Sequence, residues 1–129
     1  MNGRAVRPVR GPLGDQAVHH LADSHINSYT RFKFAVTEDD PAIKAYEEAS
    51  WAELEDGRSE EVEVSLRLLA ALHQRWTRFL RSLADDDFQR GFRHPELGRV
   101  TLERALQLYA WHGRHHVAHI ARLRERKGW

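Results

Sequence analysis

The chain has 129 residues, 41% of them hydrophobic and 30% charged, which is typical of one globular domain. Its formal net charge of +1 provides no overall field that would attract nucleic acid or an anionic membrane. The sequence lacks cysteine, which excludes disulfides, thiolate metal ligands and cysteine nucleophiles and favours a cytoplasmic location. No apolar run approaches the ~20 residues of a membrane span.

The first part of the chain predicts a lead-in followed by a long helix. Residues 1–14 contain three glycines and two prolines without a helical stripe, so we expect them to be flexible and the helical domain to cover residues 15–129. Asp15 is a candidate N-cap for a helix that runs to about Val36. Small and apolar residues recur on one face of this helix, namely Ala17, Leu21, Ser24, Ser28, Phe32 and Ala35.

A long acidic connection, residues 37–61, follows this helix and exceeds the usual length of a helix–helix link. It therefore indicates a crossover or a functional loop. We expect Pro41 to start a short helical piece, and Trp51 and Leu54 to anchor the segment on the body of the protein.

Two further long helices are predicted, with a turn-rich link between them. The first runs from about Val62 to Leu83 and the second, capped by Thr101, to about Lys127. The first carries an apolar stripe formed by Val62, Leu66, Leu69, Leu72, Trp76 and Leu80. Because no segment alternates as a strand does, we predict an all-α fold.

The last helix carries the stretch WHGRHHVAHI, which holds four of the nine histidines. His112 and His116 are four residues apart, so their side chains project side by side, about 5–6 Å apart at Cβ, and could converge on one metal ion. A buried pair satisfied by hydrogen bonds is the alternative. His115 and His119 lie further round the helix and are expected to be exposed or to support the ligands.

A second cluster, HHLADSH, lies on the first helix, and facing helices of a bundle can build a metal site together. Helical phase places His19 opposite the apolar face, where we expect solvent, while His20 and His25 flank that face and both remain candidates. Asp23 could orient an imidazole, although a solvated carboxylate is the simpler interpretation. His73 has no partner at ligand spacing and is expected to be structural or exposed.

Other side chains on the first helix, Asn27 and Arg31, could contact a substrate or remain surface groups. A site with three histidine ligands would leave one coordination position for water or substrate, which is the pattern of catalytic zinc. A bound water could then serve as the nucleophile near neutral pH.

Two segments carry a resemblance to a known family, HHLADSHINSYTRFKFAVTEDDPAIKAYEEASWAEL and HPELGRVTLERALQLYAWHGRHHVAHIARLRERKGW. The chain resembles the YfiT-type metal-dependent hydrolases of the DinB-like superfamily over residues 18–129. The resemblance implies a four-helix bundle with a divalent ion, zinc or nickel, held by His20, His112 and His116. It thus implies His20 rather than His25 as the third ligand.

The resemblance also implies alternatives for the activity. Hydrolysis of a small-molecule substrate comes first; related proteins are S-transferases for low-molecular-weight thiols such as bacillithiol, and a non-catalytic metal-binding module is the third possibility. Residues 1–18 do not match the helix with which the family begins, so we expect a bundle without that helix, whose uncovered apolar faces would favour a homodimer.

Overall fold

The structure is a computed structural model that describes residues 12–108. These residues are mostly helical, which confirms the predicted helical fold. In chain order the elements are α1 (Pro12–Thr37), α2 (Glu48–Ala52), α3 (Glu55–Arg58), α4 (Val62–Arg81), a 3-10 helix (Asp85–Gln89), β1 (Gly91–His94) and β2 (Gly98–Thr101). Residues 102–108 are again helical. None of the helices within this range is long and apolar enough to cross a membrane.

The described residues fall into two compact units. The first comprises residues 12–31 and 45–82, and the second comprises residues 32–44 and 83–108.

The core of the first unit is built from apolar residues of α1 and α4. The predicted stripe of α4 is confirmed over most of its length, because four of its six members are buried and Leu72 and Leu80 are half-buried. On α1 the small side chain of Ser28 is buried, whereas Ala17 is exposed. The buried apolar residues of this unit are Val18, Leu21, Ala22, Val62, Leu66, Leu69 and Trp76.

Helix α1 begins at Pro12, three residues before the predicted cap. Proline suits the first position of a helix because the amide hydrogen that it lacks would have no partner there. Asp15 lies in the first turn, where the helix dipole favours a carboxylate. Residues 12–14 are thus helical rather than part of a lead-in, and residues 1–11 lie outside the described range.

The acidic connection differs from the prediction at Pro41 and at Leu54. Pro41 does not start a helix; α2 and α3 form instead, further along the chain. The ring of Trp51 packs edge-on against Tyr46, with centroids 4.9 Å apart, but Leu54 is 58% exposed and anchors nothing. A Cβ at Gly57 would lie 3.0 Å from the carbonyl oxygen of Trp51, so α3 packs closely against the end of α2.

The second unit contains an antiparallel hairpin where the sequence analysis predicts only turns. Phe92 pairs with Val100, and both are buried. The turn ends at Gly98, whose φ of 74° favours glycine. The prediction that the chain contains no strands is therefore wrong in this segment. Strands of four residues are too short to show an alternating pattern in the sequence.

The end of the hairpin leads into the predicted third helix. The hydroxyl of Thr101 accepts a hydrogen bond from the amide of Arg104 at 3.1 Å, which confirms Thr101 as the cap. Leu102 and Ala105, in the first turn of this helix, are both buried. The remainder of this helix prediction falls on residues 109–127, beyond the described range.

Candidate metal site on helix α1

His20 points from α1 toward α2. Its Nε2 atom lies 3.3 Å from Oε1 of Glu48, and the two side chains are 44% and 61% exposed. The imidazole is therefore accessible from solvent, and its contact with Glu48 is exposed. Exposed ion pairs contribute only about 0–1 kcal/mol.

His19, the preceding residue, is buried instead of solvated, so that prediction is wrong. It is 3% exposed, with Nδ1 2.5 Å from the hydroxyl of Ser65 and Nε2 2.8 Å from the backbone carbonyl of Glu60. A carbonyl only accepts, so Nε2 carries the hydrogen and Nδ1 accepts from the hydroxyl. The start of α4 covers this side of α1, which the phase of one helix alone does not reveal.

His25 also has a partner on α4. Its Nδ1 lies 2.7 Å from Nε2 of His73, and the two ring centroids are 4.9 Å apart. The rings of His25 and Trp76 are nearly perpendicular, with centroids 5.9 Å apart. Burial lowers the pKa of His73. The expectation that His73 has no partner is wrong, and the two histidines form a hydrogen-bonded pair inside the first unit.

Asp23 lies one turn after His20 on α1. Burial and the negative charge of Asp56 raise the pKa of its carboxyl, while His20 and His19 act in the opposite direction. Asp23 is therefore an electrostatic neighbour of both histidines. The side chain of Asn27 donates to the backbone carbonyl of Asp23 at 2.8 Å, which engages its amide within α1.

Glu48, which contacts His20, and Tyr46, which contacts Glu48, are two polar residues that the sequence analysis did not identify. The Tyr46 hydroxyl donates to Oε1 of Glu48 at 3.4 Å. Burial, followed by the charge of Glu48, raises the pKa of Tyr46 to about 12, so the hydroxyl stays protonated at neutral pH. Nothing distinguishes Glu48 from the other carboxylates of an acidic segment until the chain folds.

His112 and His116, the other two predicted ligands, lie outside the described residues. Within residues 12–108, no group of three histidine, aspartate or glutamate side chains is placed to hold a metal ion. His20 is thus the one of the three predicted ligands that lies within the described part of the chain.

The second unit has a polar cavity of about 200 Å³. Its two arginines are engaged: Arg90 donates to the carbonyls of Ala35 and Glu38, both at 2.9 Å, and Arg99 donates to the carboxylate of Asp40 at 3.0 Å. Arg90 thereby satisfies carbonyls at the end of α1. Both arginines of the cavity therefore serve to hold the second unit together through hydrogen bonds.

Comparisons with known proteins identify the family. A family model described as the DinB superfamily matches residues 16–120. The chain is 55% identical over 115 residues to the protein named "Putative metal-dependent hydrolase YfiT" from Bacillus subtilis, covering 88% of this chain and 65% of that protein. A similarly named protein from Oceanobacillus iheyensis, OB0782, is 51% identical over 114 residues, which cover 88% of this chain and 66% of the relative.

A solved structure gives the same result. YfiT from Bacillus subtilis, described as having an unusual four-helix bundle topology, matches with a TM-score of 0.75 and 54% identity over 89% of this chain and 66% of that one. The chain thus spans slightly less than two thirds of the length of these relatives. The family match covers most of its residues, and the chain belongs to the DinB superfamily.

Proposed function

We propose that this protein is a metal-dependent hydrolase of small molecules in which His20, His112 and His116 hold one divalent ion. The observation that carries the proposal is the contrast between neighbours on α1. His19 is buried with both ring nitrogens engaged, whereas His20 is 44% exposed beside a carboxylate. The names of the relatives, which describe metal-dependent hydrolases, support the reaction class.

The chemistry of the side chains on α1 fits an imidazole ligand at His20. A metal ion at His19 would have to displace two hydrogen bonds in the core, and one at Nδ1 of His25 would have to displace His73. At His20 no buried hydrogen bond would be displaced, because the contact of its ring with Glu48 is exposed. Two further imidazoles would come from His112 and His116, four residues apart in a predicted helix.

When bound, a divalent ion with an open coordination position supplies a Lewis acid that lowers the pKa of a coordinated water or thiol. The residues of the chain would bind this ion and orient the groups around it. His20 contributes a neutral imidazole, Asp23 contributes negative charge one turn away, and Tyr46 contributes a protonated hydroxyl beside Glu48. We propose zinc as the ion, since three imidazoles and an open position are its catalytic pattern, with nickel as the second candidate.

We also propose a cytoplasmic homodimer. The chain contains no cysteine that an oxidising compartment would pair. Val64 and Leu68, one turn apart on α4, are 39% and 43% exposed, and they provide an apolar patch that a second copy could cover. Size-exclusion chromatography with light scattering checks this assembly; a monomer at all concentrations would contradict it.

Metal-dependent turnover is the test of the proposed function. The protein is stripped with a chelator and reloaded with zinc or nickel, then assayed on p-nitrophenyl esters and anilides and, separately, with monochlorobimane and a panel of low-molecular-weight thiols. We expect hydrolysis that requires the metal and is lost in His20→Ala. Metal-dependent thiol conjugation without hydrolysis would overturn this function in favour of an S-transferase, and metal binding without either reaction would identify a non-catalytic module.

A further inference from the structure

We propose that Glu48 is the positioning residue for His20, accepting the hydrogen of Nε2 so that Nδ1 presents the lone pair for the metal ion. This inference rests on the proposed function, because it assigns a role to a residue beside a proposed ligand. It gives the long acidic connection a purpose, which is to deliver a carboxylate to α1.

The contact between the two side chains favours one tautomer of His20 over the other. Oε1 of Glu48 lies 3.3 Å from Nε2, and an ionised carboxylate can only accept hydrogen bonds. In a neutral imidazole the other nitrogen, Nδ1, then carries the lone pair. Metal-binding histidines commonly donate their second ring nitrogen to a carboxylate, which sets the orientation of the ring and makes it a better ligand.

Tyr46 holds the carboxylate in place. Its hydroxyl donates to the same Oε1 atom at 3.4 Å, and its ring packs edge-on against Trp51, with centroids 4.9 Å apart. Because burial and the charge of Glu48 raise its pKa to about 12, Tyr46 remains a donor throughout the neutral range. Tyr46, Glu48 and His20 thus form a continuous chain of polar contacts that ends at the proposed ligand.

The first measurement uses the metal-free protein. Glu48→Ala is compared with Glu47→Ala, which removes the same charge from the exposed neighbouring residue. Long-range 1H–15N NMR spectra report which ring nitrogen of His20 carries the hydrogen. We expect the Nε2–H tautomer almost exclusively in the wild type and in Glu47→Ala, and a measurable share of the Nδ1–H tautomer in Glu48→Ala. Equal tautomer populations in both variants would overturn the inference.

The second measurement is zinc affinity, determined by competition with a chromophoric chelator. Loss of a carboxylate that supports a metal-binding histidine typically weakens binding by about 10–100-fold. We therefore expect that loss in Glu48→Ala, a smaller loss in Tyr46→Phe and no change in Glu47→Ala. In the zinc-loaded wild type, the 15N shift that changes should be that of Nδ1; ligation through Nε2 would overturn the inference.

His20→Ala separates this inference from the proposed function. If His20→Ala retains full zinc binding, the proposed metal site is wrong. If His20→Ala loses zinc while Glu48→Ala binds as tightly as Glu47→Ala, the metal site stands and the role of Glu48 is wrong. Since Glu48 is 61% exposed, Glu48→Ala should keep the far-UV circular dichroism of the wild type.

Discussion

Replacement of the buried histidine of α1 tests the structure where it departs most clearly from the sequence prediction. In His19→Leu the imidazole that joins α1 to Ser65 and to the carbonyl of Glu60 is lost. If His19 were solvated, as helical phase predicts, this change would be nearly neutral. The structure instead predicts a substantial loss of stability.

The magnitude follows from the groups left without a partner. Ser65 is 8% exposed, so its hydroxyl cannot readily turn to water, and the carbonyl of Glu60 is partly buried. An unsatisfied buried polar group costs about 1–3 kcal/mol. With the carbonyl at the low end of that range, we expect His19→Leu to lower the free energy of unfolding by about 2–4 kcal/mol.

A double-mutant cycle isolates the contact with Ser65. Ser65→Ala alone leaves Nδ1 of the buried imidazole unpaired and should cost about 1–3 kcal/mol. In the double variant neither group remains to be satisfied at that contact. We expect the double variant to be more stable than the sum of the single changes predicts, by about 1–2 kcal/mol, within the range found for contacting residues.

Urea unfolding followed by circular dichroism, with chelator present throughout, measures all the variants. His20→Leu is the matched control, because it makes the same change at the adjacent, exposed histidine and should alter stability by no more than about 0.5 kcal/mol. Additivity of the two changes within about 0.5 kcal/mol, or equal effects at His19 and His20, would refute the buried contact.

Two further predictions concern one histidine pair and one close approach in the hairpin. Because burial lowers the pKa of His73, the unfolded chain binds a proton at this residue more tightly than the folded chain does, so the free energy of unfolding should fall as pH decreases below the unfolded pKa of about 6.5. Urea unfolding at several pH values should show a weaker pH dependence of stability in His73→Gln. The same pH dependence in the variant and the wild type would contradict a buried pair with His25. Gly91→Ala should destabilise the protein more than Gly98→Ala, because a Cβ at residue 91 would lie 2.2 Å from the carbonyl oxygen of Val100. A Cβ at residue 98 would meet open space, so Gly98→Ala costs only the strain of a φ of 74°, about 1–2 kcal/mol. Thermal unfolding measures both variants, and the reverse order would contradict the hairpin register.

The elements that could be predicted from the sequence are those with local signals. The stripe of α4 from Val62 to Trp76 follows the helical period, and its buried members confirm it. Thr101 caps the next helix through a residue only three positions away. The hairpin escaped prediction because Phe92 and Val100, its buried pair, lie in strands too short to display alternation.

The surroundings of the candidate ligand depend on contacts between distant residues. His19 reaches Ser65 and Glu60, which are 46 and 41 positions away, so the phase of α1 alone could not show that it is buried. Glu48 approaches His20 only because the acidic connection folds back toward α1. His20 as a ligand, together with His112 and His116, stays a prediction.

The most direct test of the proposed metal site is its stoichiometry in purified protein, measured by elemental analysis after zinc loading and removal of free metal. We expect one zinc ion per chain in the wild type and in His115→Ala, and loss of that ion in His20→Ala, His112→Ala and His116→Ala. Full zinc content in any of these last three variants, or loss of zinc in His25→Ala with retention in His20→Ala, would contradict the proposed ligand set.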